Sequence, residues 1–126
     1  MLIEFRVKNF YSIQDEQVFS LVANSQEQHI NNTFNIESEK LTLLKSAAIY
    51  GANAAGKSNF IKAFVAMKIL ITKSNQRGDK LPITPFLLGD NERKPTEFEI
   101  SFISQSVRYR YGFSVTQDKV VGEWLF

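Results

Sequence analysis

The chain has no cysteine and a single histidine among its 126 residues. Without thiols it can form neither a disulfide framework, nor a cysteine nucleophile, nor a zinc site with cysteine ligands. No uncharged stretch approaches the roughly 18 residues that a membrane-spanning helix needs. The charged residues Glu4 and Arg6 come too early for the apolar core of a signal peptide. These absences predict a soluble cytoplasmic protein without a membrane partner.

The chain also carries little excess of positive over negative charge. The formal net charge is +2 and 22% of the residues are charged, which excludes a polybasic segment built mainly for nucleic acid. Mild basicity still permits nucleic-acid binding. The hydrophobic share of 44%, with eleven phenylalanines, is enough to fill the core of one domain.

The most informative stretch is residues 51–58, with the sequence GANAAGKS. It matches G-x-x-x-x-G-K-[ST], the phosphate-binding P-loop or Walker A motif. The short apolar run at 47–50 predicts a buried parallel strand before it, and residues 59–70 show a helical pattern after it. Strand, loop and helix over residues 47–73 are the context that the motif requires.

Each fixed position of the motif has a chemical reason. Gly51 and Gly56 permit backbone angles and close approaches that a Cβ would hinder. Backbone N–H groups of the loop and of the helix N-terminus can then surround a phosphate. Lys57 is expected to reach the β- and γ-phosphates, and the Ser58 hydroxyl to bind Mg²⁺.

The cofactors predicted from this motif are ATP and Mg²⁺, although the residues do not distinguish ATP from GTP. The expected nucleotide-binding residues are Gly51, Asn53, Ala54, Ala55, Gly56, Lys57, Ser58 and Asn59.

The first 23 residues predict a β-hairpin. Ile3, Phe5 and Val7 alternate with charged residues, and a strand-like pattern resumes at 17–23 after a turn. Residues 24–40 are polar and predict a long loop with a short strand at 33–36. Residues 41–44 are interpreted as a turn of helix or as the lead-in to the Walker A strand.

The helix after the loop carries an aromatic and aliphatic stripe that we assign to the core, namely Phe60, Phe64, Met67 and Ile71. Residues 86–90 superficially resemble a Walker B strand that ends in the Mg²⁺-binding Asp. The run is short, follows a proline and has Gly89 where the last apolar residue belongs, so we interpret Asp90 as part of a turn.

Residues 97–126 predict a β-meander of three strands. In its second strand Arg108 and Arg110 alternate with Tyr109 and Tyr111. Such interleaving could form a platform for single-stranded nucleic acid, because bases stack on aromatic rings and phosphates pair with arginine. The simpler interpretation, which we favour, is a strand with one buried and one solvated face.

Three segments together resemble a known family. They are the strand that ends in residues 8–13 (KNFYSI), the loop at 50–59 (YGANAAGKSN) and the meander sequence at 109–113 (YRYGF). Over essentially the whole chain they are similar to the start of SMC/OLD-like ATPases. These are ABC-type ATPase heads, and many are bacterial AAA-type ATP-binding proteins of phage-defence and abortive-infection systems.

The resemblance implies an α/β fold, a P-loop NTPase half-domain of the ABC-ATPase type, with an antiparallel β-lobe packed beside the Walker A strand–helix unit. It implies ATPase activity in which two heads sandwich ATP and hydrolysis drives head dimerisation and an attached effector. The implied partners are a second copy, a C-terminal half of the head, and an effector protein or nuclease domain. DNA is a further partner that the assembly could bind.

Two departures from the family pattern affect the expected chemistry. Many members carry Arg directly after the Asn-Phe pair, close to the nucleotide, whereas this chain has Tyr11, which could stack on the nucleotide or hydrogen-bond to it. The Q-loop Gln, signature segment, Walker B Asp and neighbouring Glu of the family have no counterpart up to Phe126. We therefore expect the N-terminal part of a longer ATPase, without catalytic residues of its own, that binds nucleotide but hydrolyses it poorly.

Two alternatives remain open from the sequence. The chain could be a non-catalytic nucleotide-binding fragment through which ATP regulates a partner. It could also be a nucleic-acid-binding β module with a vestigial loop.

Overall fold

The computed structural model describes residues 1–24, 30–73 and 80–126. The fold is α/β, with one α-helix and seven strands in the described residues. The elements are β1 (Leu2–Lys8), β2 (Gln17–Ser20), β3 (Thr33–Ile36), β4 (Leu41–Leu44), α1 (Lys57–Thr72), β5 (Thr96–Ser104), β6 (Val107–Val115) and β7 (Val120–Leu125). In the described part of the chain, no helix is long and apolar enough to cross a membrane.

The main sheet has five strands in the order β2-β1-β5-β6-β7, and every neighbouring pair is antiparallel. β1 and β2 form a hairpin at one edge, and β5, β6 and β7 form a meander. The meander joins β1 through the antiparallel pairing of β1 with β5. The two ends of the chain therefore share one sheet, although about 90 residues separate β1 from β5 along the sequence.

Helix α1 packs against one face of this sheet. Phe5 of β1 is fully buried, and its ring makes edge contacts with Phe60 (5.5 Å) and Phe64 (4.8 Å) of the helix. On the helix the most buried side chains are Ala63, Ala66 and Met67. Small alanines let the helix approach the sheet closely, so large rings flank the contact instead of filling its centre.

The predicted core stripe of the helix is therefore only partly right. Met67 is buried and Phe60 is packed against the core, but Phe64 is 38% exposed and Ile71 is 48% exposed. The contacting face turns toward the alanines because the single antiparallel sheet covers only one side of α1. Ile61 and Val65 also remain exposed on the uncovered side.

The segment that we interpreted as helix or lead-in at 41–44 is a strand. β4 pairs with β3, whose bounds match the short strand predicted at 33–36. Leu43 is fully buried in a second cluster with Ile3, Ile36 and Ile103. Ala23 donates its N–H to Thr42, and Leu44 donates to Leu21, so the β3–β4 hairpin continues the edge beside β2.

The predicted buried strand at 47–50 does not form. These four residues have no strand assignment and all are exposed, Ile49 by 43% and Tyr50 by 93%. A parallel strand needs a neighbour to accept and donate its backbone hydrogen bonds. Among the described residues no strand lies beside this segment, so an apolar sequence is not sufficient to order it as a strand.

The face of the sheet opposite α1 carries a network of charges. Arg6 contacts Glu4 (3.1 Å), Glu16 (3.4 Å) and Glu99 (3.8 Å). The hydrogen bond with Glu4 and the nearby carboxylates raise the pKa of Arg6. Arg110 lies 3.9 Å from Glu99 and 4.7 Å from the centre of the Phe126 ring. Arg6 and Arg110 are thus engaged by groups within the protein.

On the helix side of the sheet, the Tyr111 hydroxyl donates to Glu123 at 2.7 Å. Burial, together with the hydrogen bond and the negative charge of Glu123, raises the pKa of Tyr111 to about 12.

Gly112 is required by the position of a neighbouring ring. Trp124, its partner on β7, lies across it and donates its indole N–H to Glu99 at 2.8 Å. A Cβ on Gly112 would come within 2.6 Å of the indole ring. A glycine here lets the one tryptophan of the chain cover the β5–β6–β7 ladder.

We expect Gly112→Ala to destabilise the fold by about 1–3 kcal/mol, because the indole must leave its place and lose its bond to Glu99. Denaturant unfolding measures the loss, and the fluorescence of Trp124 reports its displacement. Gly122→Ala is the matched control, since its Cβ would meet only the Ser114 hydroxyl, at 3.2 Å. Equal stability of the Gly112 variant and the wild type would contradict this account of the glycine.

Candidate functional site

The P-loop sequence lies between β4 and α1. Before the loop, the chain is held by the short helical turn Ile30–Asn32: Lys45 donates its N–H to Asn32 (2.7 Å), and the Asn32 amide donates to Ser46 (2.9 Å). After the loop, α1 begins at Lys57, directly behind Gly56. The loop therefore runs from an anchored segment into a helix N-terminus.

Two residues of the loop adopt the left-handed backbone region, Ala54 with φ 63° and Gly56 with φ 88°. Gly56 is the residue before the helix, where the conformation suits glycine. Ala54 adopts it in spite of its Cβ, at a cost of about 1–2 kcal/mol.

Gly51 does not use the conformational freedom that we predicted for it. Its φ is outside the left-handed region, and a Cβ would meet only the Cβ of Ala55, at an ordinary 3.8 Å. In this structure, the need for glycine is therefore local to Gly56. There a Cβ would come within 3.4 Å of the Ser12 hydroxyl.

The Lys57 ammonium group folds back over the loop. Its Nζ donates to the carbonyl oxygens of Gly51 and Ala52, each at 2.6 Å. The side chain is half-buried rather than fully exposed at the loop mouth. The loop is thus closed by its own lysine, and an incoming phosphate would have to replace two carbonyl acceptors around the same cation.

The helix N-terminus adds unpaired donors to the loop. An α-helix leaves its first N–H groups without intrahelical acceptors. In α1 the first backbone N–H to donate into the loop is that of Phe60, to Gly56 at 3.0 Å. Ser58 is exposed in the first turn, and Asn53, Ala54 and Ala55 are exposed in the loop itself. Donors and a hydroxyl are therefore accessible around Gly56.

A cleft of about 400 Å³ lies between the loop and the turn that follows β1. Ala55, Gly56 and Lys57 line one side of it, and Ser12 and Asp15 contribute to the other. Asn59 donates its amide to the Ser12 hydroxyl at 2.8 Å, which ties the two sides together. The cleft thus combines a cation, backbone donors and one carboxylate.

The structure does not bring Tyr11 into this cleft. Its ring packs against Phe10 at 4.8 Å and faces the Lys62 ammonium at 5.2 Å, on the side of α1 away from the loop. Its neighbour Ser12 is the residue that reaches the loop. The local sequence predicts only a turn here, and the direction of each side chain depends on packing with distant residues.

Metal binding by protein carboxylates alone finds no support in the described part of the chain, where no three His, Asp or Glu side chains converge. The Ser58 hydroxyl beside the helix N-terminus is compatible with the predicted role, since P-loop Mg²⁺ is bound by one protein hydroxyl together with phosphate oxygens and water. The chemistry of the donors thus fits a metal that arrives with a phosphate.

Comparison with known proteins points to a nucleotide-binding domain. No curated protein matches the sequence. A family model described as "AAA domain, putative AbiEii toxin, Type IV TA system" matches residues 46–126, which is more than half of the chain. The match includes the loop, α1 and the whole meander. Such a domain indicates nucleotide binding and ATPase-like activity with Mg²⁺. The chain therefore belongs to this family of AAA domains.

Proposed function

We propose that this chain binds MgATP through residues 51–58, as the phosphate-binding part of a P-loop ATPase head of the ABC/SMC/OLD-like type. The observation that carries the proposal is the arrangement at Gly56. A left-handed glycine leads into the N-terminus of α1, with the Lys57 ammonium at the edge of an open cleft. Together these groups provide a cation, backbone donors and a helix dipole for one anion.

Each residue has a distinct task in this proposal. Lys57 exchanges its contacts with the Gly51 and Ala52 carbonyls for phosphate oxygens. The N–H groups at the start of α1 donate to the same phosphates, and the Ser58 hydroxyl holds Mg²⁺. The metal, when bound, neutralises charge on the phosphates. Asn53, Ala54, Ala55 and Asn59 complete the loop around the nucleotide.

We propose further that nucleotide turnover by the complete ATPase drives head dimerisation and an attached effector. The family description names a putative toxin of a toxin–antitoxin system, which supports an attached effector. We propose bacterial phage defence as the setting in which it acts. The alternative is a non-catalytic, regulatory nucleotide site. This chain alone is expected to hydrolyse ATP poorly under either hypothesis, so phosphate release is measured with a full ABC-type head. Turnover there supports the ATPase, and tight binding without turnover there supports regulation.

A nucleic-acid platform on β6 is less well supported than nucleotide binding. Arg110 is paired with Glu99 and packed on Phe126, and the Tyr111 hydroxyl is bonded to Glu123. The carboxylates of Glu4 and Glu99 on the solvent face would repel a phosphate backbone. The solvated-face interpretation of this strand accounts for these contacts.

Calorimetric titration of the full chain with ATP in the presence of Mg²⁺ tests the proposed function. We expect saturable binding that depends on the triphosphate and competes with ADP. Parallel titrations with GTP and with single-stranded DNA separate base preference and nucleic-acid binding from phosphate recognition. Binding of the DNA without any binding of ATP would overturn the proposal.

We propose a second copy of the chain as a partner. An apolar groove of about 470 Å³ runs along the uncovered side of α1, and Phe19, Ile49, Ile61 and Phe64 line it. Exposed apolar surface of this kind favours association. It borders Lys57 and Ser58, so a copy seated there would lie beside the loop, as a head-to-head dimer requires.

We expect light scattering to show association that grows with concentration and decreases in Ile61→Lys, because the added charge faces the groove. Val107→Lys is the matched control, since Val107 is 49% exposed at the distant β5–β6 turn. A monomer at high concentration, or equal loss in both variants, would contradict the use of this groove.

A further inference from the structure

The residue that stands out beyond the loop is Asn9, at the end of β1. It is 3% exposed and has a left-handed backbone with φ 54°. Its amide nitrogen donates to the carbonyls of Asn91 (2.9 Å) and Lys94 (2.8 Å). Its amide oxygen accepts the Phe86 N–H at 3.0 Å. A buried, fully bonded amide of this kind fixes the segments that it joins.

The backbone of Asn9 is held as firmly as its side chain. The buried hydroxyl of Thr96, the first residue of β5, donates to the Asn9 carbonyl at 2.6 Å. Asn9 therefore ties β1 to β5 and to the connection that precedes β5. These contacts determine the direction in which the chain leaves β1.

After β1 the chain makes a tight turn, and the tip of this turn reaches the P-loop. Phe10 and Ile13 exchange backbone hydrogen bonds at 2.8 Å, which leaves Tyr11 and Ser12 at the tip. The Ser12 hydroxyl then accepts from the Asn59 amide at 2.8 Å and lies close to Gly56. Residues 10–12, whose backbone is held by these hydrogen bonds, therefore connect the buried Asn9 to the P-loop.

We propose that Asn9 is a positioning residue for the nucleotide site. It acts through Ser12, which holds Asn59 and the Gly56 backbone in the geometry that accepts a phosphate. Asn9 itself touches no nucleotide. The inference rests on the proposed function, since it assigns a role in the same phosphate site.

The chemistry of Asn9 suits this role better than that of other residues. Asparagine tolerates a left-handed backbone, and its amide both donates and accepts. Aspartate has the same shape but would set a carboxylate against the carbonyls of Asn91 and Lys94. Alanine would leave those carbonyls and the Phe86 N–H without their partner.

The test measures MgATP affinity in Asn9→Ala, Ser12→Ala and the double variant of the full chain. Loss of one neutral hydrogen bond corresponds to about a fivefold change in affinity. We expect each single variant to bind MgATP about five- to tenfold more weakly than the wild type. The affinity of the double variant should equal that of the single variant with the lower affinity. Such non-additivity is the sign of two residues acting along one path.

Ile36→Val is the matched control, because Ile36 is buried in the second cluster with Ile3 and Leu43, away from the loop. It lowers stability without touching the turn, so we expect its affinity to equal that of the wild type. Equal weakening in this control would overturn the inference, since loss of stability alone would then explain the effect.

The remaining outcomes also decide. Wild-type affinity in folded Asn9→Ala, or additive losses in the double variant, would overturn the inference while the effect of Lys57→Ala still upholds the proposed function. If Asn9→Ala does not fold, Ser12→Ala decides: weaker binding supports the inference, and unchanged binding overturns it. If the wild type binds no ATP, the proposed function fails and the inference fails with it.

Discussion

Replacing Lys57 with alanine is expected to weaken MgATP binding by about 10- to 100-fold, the range for loss of a hydrogen-bonded charge. The ammonium group that now rests on the Gly51 and Ala52 carbonyls would be absent when the phosphates arrive. Among the residues that the structure describes, no other lysine lines the cleft. We therefore expect no side chain to compensate for the missing charge.

The same change is expected to leave the fold nearly intact. Within the described part of the chain, the Lys57 ammonium donates only to exposed loop carbonyls, which water can satisfy. The free energy of unfolding should therefore change by no more than about 0.5 kcal/mol. Calorimetric titration measures the affinity, and thermal unfolding without ligand measures the stability. A large drop in melting temperature would contradict the expectation that Lys57 serves the ligand and not the fold.

Lys68→Ala is the control for this experiment. Lys68 is exposed on the same helix, and its loss changes the net charge by the same amount. The rise of an α-helix places it roughly 16 Å from Lys57 along the axis. Equal weakening of ATP binding by both variants would indicate a general effect of charge and would remove the assignment of Lys57.

Replacing Phe5 with alanine is expected to destabilise the fold by about 3–5 kcal/mol. Phe5 is fully buried and is the side chain of β1 that contacts both Phe60 and Phe64 of α1. The variant loses the transfer free energy of the ring and leaves a cavity between sheet and helix. Domains of this size are stable by about 5–15 kcal/mol, so the substitution would remove a large share of the free energy of unfolding.

Denaturant unfolding followed by circular dichroism measures this loss through the midpoint. Phe126→Ala removes the same ring from a position that is 69% exposed, and should cost much less. Similar losses for Phe5 and Phe126 would contradict the assignment of the core between β1 and α1.

The hydrophobic pattern was a good guide wherever an element could form from its own residues and a near neighbour. The alternation of Ile3, Phe5 and Val7 predicts that these three residues are buried, and all three are 1% exposed or less. A register shift between Leu2 and Glu4 places Ile3 in the second cluster, apart from Phe5 and Val7. The motif likewise predicts a helix start beside Gly56, and α1 begins at Lys57. In β1 and at the start of α1, the hydrophobic period and the backbone preferences are set by residues that are close together in the sequence.

Other features depended on distant partners. An apolar sequence at 47–50 predicted a buried strand, yet no described strand lies beside it and the segment is exposed. The local pattern around Leu43 predicts a turn of helix or a lead-in, yet Leu43 is fully buried because the β3–β4 hairpin folds over Ile3 and Ile103. These residues are buried or exposed according to whether a distant segment packs over them. The hydrophobic pattern of neighbouring residues carries no information about that segment.

The motif predicts a phosphate-binding loop at residues 51–58 and the residues that serve it, because the spacing of Gly56, Lys57 and Ser58 is that of an anion site at a helix N-terminus. The surroundings of that loop depend on contacts between distant segments. The fold places Ser12, not Tyr11, against Asn59, since the direction of a side chain at the tip of a turn depends on backbone angles and on anchors far away in the chain. Contacts such as those of Asn9 with residues 86–96 exist only once the chain has folded.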